Sequence, residues 1–122
     1  MRIVAAALFA LVSLAAQVQP ALATQSFEAN MRGTPGSPSG CVYAGLTVTY
    51  DPGTGNGMVR VDLRPTGHVS GTFRAENALF TSQAVASTNG AVVTIAGELT
   101  PGGKVTYRNS QGCSYDGVLK TK

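Results

Sequence analysis

The chain has 122 residues, with nine Lys and Arg against six Asp and Glu, one His, two Cys and no Trp. One domain fits that length and two do not, and 12% charged with 43% hydrophobic residues excludes a solvated, disordered chain. The Glu, Lys and Leu repeats of a coiled coil are missing as well.

Residues 1–23 read as a secretory signal peptide. Arg2 supplies the positive start, Ile3 to Ala16 an uncharged apolar run, and Ala21-Leu22-Ala23 a small-x-small cleavage site. The run is shorter than the roughly twenty apolar residues that span a membrane. Cleavage after Ala23 and a periplasmic or secreted location are therefore expected, with no membrane span. The 99 residues that remain carry eight basic and six acidic side chains, a net charge of +2. That excess is too small to attract nucleic acid by bulk electrostatics.

Cys41 and Cys113 both remain after cleavage, and in an oxidising compartment two such residues are expected to pair. Closing a loop of that length stabilises by about 4 kcal/mol in the chain-entropy description.

Residues 24–40 hold one short extended candidate, Phe27 to Met31, followed by Gly, Pro, Ser and Thr from Gly33 to Gly40. This composition predicts a flexible N-terminal arm. From Cys41 to Lys122 the pattern is β throughout. Strands are expected at about 41–50, 58–64, 68–75, 78–88, 91–99, 104–108 and 113–121. Val59, Val61 and Leu63 share one face while Arg60, Asp62 and Arg64 share the other. Val69, Gly71 and Phe73 form a second inner row, and Val93, Ile95, Gly97 and Leu99 a third. Turn signals stand at Asp51 to Gly57, Pro65-Thr66-Gly67, Pro101-Gly102-Gly103 and Asn109 to Gly112. Asn89-Gly90 is the strongest hairpin signal and Glu76-Asn77 a weaker break. The expected fold is all-β: a small antiparallel meander of seven or eight strands, closed as a barrel or a sandwich to hide its edges.

Gly40-Cys41-Val42-Tyr43-Ala44-Gly45 is echoed by Gly112-Cys113-Ser114-Tyr115-Asp116-Gly117. Paired, the two Cys would fasten the first main strand to the last and gather Tyr43, Tyr50, Tyr107 and Tyr115 at one seam. The inner row of Leu46, Val48 and Tyr50 puts Tyr43 on the opposite face, whereas Tyr115 aligns inward with Leu119; a bulge near Gly45 would reconcile the copies.

The chemistry-bearing residues are sparse. His68 is the sole His, and the acids are scattered, so neither a zinc site nor a carboxylate cation site is expected. No G-x-S-x-G elbow is present, and Gly53 to Gly57 lacks the Lys-Ser/Thr of a phosphate loop. The chain is therefore not expected to be an enzyme or to hold a cofactor. Arg60, Arg64, Arg74 and Arg108 form a candidate basic face for an acidic protein or an anionic envelope polymer. Tyr43 and Tyr115 are candidate partner contacts. The function expected is a non-catalytic binding module that engages a protein or an envelope polymer, an enzyme inhibitor being one form of it. The alternative is a small-molecule carrier, with Gly71, Ala84, Ala86 and Gly97 leaving a void inside a miniature calyx. A monomer without nucleic acid is expected.

Overall fold

The computed structural model describes residues 24–63, 67–85 and 90–122. The expected leader at 1–23, together with Arg64, Ala86 and Asn89, lies outside the described residues.

The described chain is all strand: β1 (Gln25–Gly33), β2 (Tyr43–Tyr50), β3 (Asn56–Leu63), β4 (Gly67–Arg74), β5 (Leu79–Val85), β6 (Val92–Glu98), β7 (Lys104–Asn109), β8 (Ser114–Val118) and the short β9 (Lys120–Thr121). Every pairing is antiparallel, in the order β4-β3-β2-β1-β8-β7-β6-β5, with β9 continuing beside β1. Read as a circle, this is an up-and-down meander whose first and last strands are hydrogen-bonded. The sheet makes a nearly closed barrel, and its seam falls mid-chain between β4 and β5. Side chains cross the seam: Ser82 Oγ donates to the Thr72 carbonyl at 2.8 Å, and the Phe73 and Phe80 rings meet at 4.5 Å.

Period-two alternation decides which residues enter the barrel. The inner rows hold Ala44, Leu46, Val48 and Tyr50 on β2, Val59 and Val61 on β3, Val69 and Phe73 on β4, and Val93 and Ile95 on β6. Leu99 extends the β6 row and is buried with them. Tyr107 and Tyr115 face each other across β7 and β8, both buried, with ring centroids 5.2 Å apart in an edge-to-face arrangement.

Two expectations are corrected. Residues 24–40 are not a free arm. β1 pairs with β2 along eight residues, from Gln25 opposite Tyr50 to Arg32 opposite Tyr43, and buries Phe27, Ala29 and Met31. The Gly/Pro/Ser stretch after it is tied down by hydroxyls. The Thr34 amide donates to the Ser114 carbonyl at 3.0 Å, Ser37 Oγ reaches the same carbonyl at 3.1 Å, and the Thr34 and Ser114 hydroxyls are hydrogen-bonded. The two G-C-x-Y-x-G copies are also not equivalent. Pairing of β2 with both neighbours runs through Gly45 without a bulge, so Tyr43 faces outward while Tyr115 faces in. β1 lies between β2 and β8, so the Tyr residues do not collect at a first-to-last seam.

The Cys41–Cys113 disulfide is present, with Cα atoms 5.8 Å apart. It arches over the exit of β1 and joins the residues that lead into β2 and β8. Gly33 sits beneath it, where any β-carbon would collide with the Cys41 carbonyl oxygen.

Candidate functional site

The barrel interior holds large side chains. Met31, Leu46, Ile95, Tyr107 and Leu119 are all fully buried. The small inner residues admit close packing. A β-carbon on Gly71 would run into Ser82 Oγ, and one on Gly97 would meet the Lys104 carbonyl oxygen at 2.9 Å and the Phe80 ring at 3.1 Å. Burial of the Tyr107 phenol raises its pKa above the usual 10.0, an effect the hydrogen bond with the Asn109 side chain partly offsets. Burial likewise raises the Tyr115 pKa, and the neighbouring Tyr107 phenolate would raise it further.

The outer face is where polar chemistry gathers. Strand register sets it out in rows. One row runs Thr106, Asp116, Arg32, Tyr43 across β7, β8, β1 and β2. Beside it, Asn30, Gly45, Asp62 and His68 form a row across β1 to β4. Gly45 leaves a gap in that row: a β-carbon built there would meet nothing within 4 Å. The result is a hollow of about 630 Å³, floored by Gly45 and walled by Asn30, Arg32, Tyr43 and Asp62. Tyr43 is 61% exposed and Val42, at the rim, 57% exposed. A second depression of about 500 Å³, lined by Arg108, Ser114 and Asp116, lies beside the disulfide, and Asp116 stands opposite Arg32 between the two.

The expected residues separate under this geometry. Tyr43 is on the hollow. Tyr115 is not available to a partner, being 5% exposed and packed against Tyr107, because its strand presents odd-numbered residues inward. Arg60 is exposed on β3, with Nε 3.1 Å from Asp62 Oδ1, the one salt bridge among the described residues. Arg74 is exposed at the far end of β4 opposite Asn56, about 13 Å along the sheet from Arg60's row. Arg108 lies on β7, separated from β3 by β2, β1 and β8. Arg60, Arg74 and Arg108 therefore do not form one basic patch; Arg64 lies outside the described residues. His68 is exposed at the end of its row.

Asn30, Arg32 and the opening at Gly45 escape sequence reasoning. Asn30 and Arg32 fall in the segment whose composition suggests an arm, and Gly45 reads as a bulge. The usable signal was the outward parity of Asn30 and Arg32 against Ala29 and Met31.

Among the described residues, no three His, Cys, Asp or Glu side chains converge to hold a metal ion. No helix there is long and apolar enough to cross a membrane. Compared with known proteins, the chain matches no protein-family model, and no curated protein is significantly similar to it.

Proposed function

We propose that the chain is an exported, non-catalytic binding module that engages a protein or an envelope polymer through the outer face of β1, β2 and β3. The observation that carries the reading is the Gly45 hollow. An aromatic ring stands 61% exposed beside an open glycine floor, with an amide, a guanidinium and a carboxylate around it. A large exposed ring costs solubility without adding to the core, and convergent polar groups around a concavity are the usual composition of a binding site. The Cys41–Cys113 bond supports export, since such bonds persist in oxidising compartments.

A carrier with an internal calyx has less support. The interior positions that could leave a void, Gly71 and Gly97, are covered by Ser82 and Phe80.

The test is retention of envelope components on the immobilised mature chain, compared with Tyr43→Ala and Gly45→Val. Specific retention that falls at least about tenfold in both variants is expected, the loss of roughly 1.4 kcal/mol or more. Unchanged retention in both variants would remove the hollow from the function. A bound apolar ligand in native mass spectrometry would favour the carrier.

A further inference from the structure

Resting on that reading of the hollow, we infer that its ligand is an uncharged pyranose unit of a glycan chain. Three features lead there. The first is shape and surface: an exposed tyrosine ring stands next to a floor with no side chain, which leaves room for the C–H face of a sugar ring beside an aromatic group.

The second is the donor and acceptor set. Among the described residues, Asn30 and Arg32 have no side-chain hydrogen bond or ion pair, so the Asn30 amide and the Arg32 guanidinium remain free to bind. Asp62 commits Oδ1 to Arg60 and keeps its other oxygen as an acceptor. Amide, guanidinium and carboxylate together offer donors and acceptors around one opening, which suits hydroxyl groups that both give and receive.

The third is charge. Arg60 is neutralised by Asp62, and Arg32 stands opposite Asp116. Among the described residues that line the hollow the charged ones are Arg32 and Asp62, so the lining offers a polyanion no excess of positive charge. A protein partner fits less well. A stable protein interface buries about 800 Å² per partner around an apolar centre, and here the centre is an open glycine with Asn30, Arg32 and Asp62 beside the Tyr43 ring and Val42. The depression lined by Arg108 and Asp116 continues the strip across β8 and β7, which suits a chain rather than a single sugar.

Gly45→Val is the decisive variant. A β-carbon there meets nothing within 4 Å, and a β-branched residue favours a strand, so the fold is kept while the open floor beside Tyr43 is obstructed. The mature chain, Tyr43→Ala and Gly45→Val are each titrated with cellotetraose, chitotetraose, maltotetraose, mannotetraose and, as the anionic control, a heparin tetrasaccharide. Amide shifts are followed by NMR. The expected result is saturable binding of at least one neutral probe, with shifts centred on Asn30, Arg32, Tyr43 and Gly45, weakened tenfold or more in both variants. No saturable binding of any neutral probe, binding of the heparin probe alone, or neutral binding that Gly45→Val leaves intact would overturn the inference. The broader reading fails separately. If envelope retention still depends on Tyr43 and Gly45 while every neutral oligosaccharide fails, the module stands and the glycan does not. If retention is also indifferent to both residues, the two fall together.

Discussion

The turn between β4 and β5 places two consecutive L-residues in the left-handed region, Asn77 at φ 53° and Ala78 at φ 64°. Glu76 and Leu79 close it with reciprocal backbone hydrogen bonds of 2.9 Å. Asn tolerates this conformation; Ala does so at a cost of about 1–2 kcal/mol, part of which glycine returns as chain entropy on folding. Ala78→Gly is therefore expected to stabilise the protein by about 0.5–1 kcal/mol, read as a higher urea midpoint, and a lower midpoint would show that the turn relaxes in solution. The sequence marks this turn only weakly because Ala78 is not a turn residue. Two buried phenols make a second prediction at this scale. Tyr107 and Tyr115 titrate above their unfolded value because burial disfavours the phenolate. The native state thus holds protons that the unfolded chain releases from about pH 10. Stability from these groups is fully present below that pH and falls as pH rises through the folded values. A Tyr107→Phe/Tyr115→Phe variant should lose less stability between pH 9 and 11 than the parent; equal losses would place the alkaline sensitivity elsewhere.

Among the elements, β4 and β5 stand apart, because a hydroxyl rather than a backbone ladder joins them. Ser82 is 2% exposed, and its Oγ satisfies the Thr72 carbonyl. Ser82→Ala should cost about 1–3 kcal/mol, since a carbonyl at the seam loses its partner, and denaturation at neutral pH measures it directly. A cost near zero would mean that water replaces the hydroxyl freely. The inner rows of β3, β4 and β6 were legible in sequence because alternation survives wherever one face is buried. The Cys41–Cys113 bond was legible from compartment and count alone. β1 was legible only as the fragment Phe27 to Met31. Its full length is held by pairing with β2, β8 and β9, partners that begin as few as ten and as many as 87 residues after Gly33, and local composition carries no trace of such contacts.

For the molecule as a whole, closure is the organising event, and it also explains why the site resists sequence reading. The hollow assembles Asn30 and Arg32 from β1 with Tyr43 and Gly45 from β2 and Asp62 from β3, so it exists only once β1 has docked between β2 and β8. Tyr43 was visible as an exposed aromatic, but its neighbours were fixed by register. The same circular order predicts where the barrel opens. In an antiparallel strand the N–H and C=O of one residue point the same way. Because the Thr72 carbonyl faces the seam, the amides of Ser70 and Thr72 face it too, whereas Val69 and Gly71 turn toward β3. Val93 and Ile95 on β6 are paired on both sides, with β5 and β7. Native-state hydrogen exchange should therefore find Ser70 and Thr72 close to unprotected and exchanging by local opening, while Val93 and Ile95 exchange only through global unfolding. Protection at Ser70 and Thr72 equal to that at Ile95 would mean that β4 and β5 complete the barrel with a backbone ladder in solution.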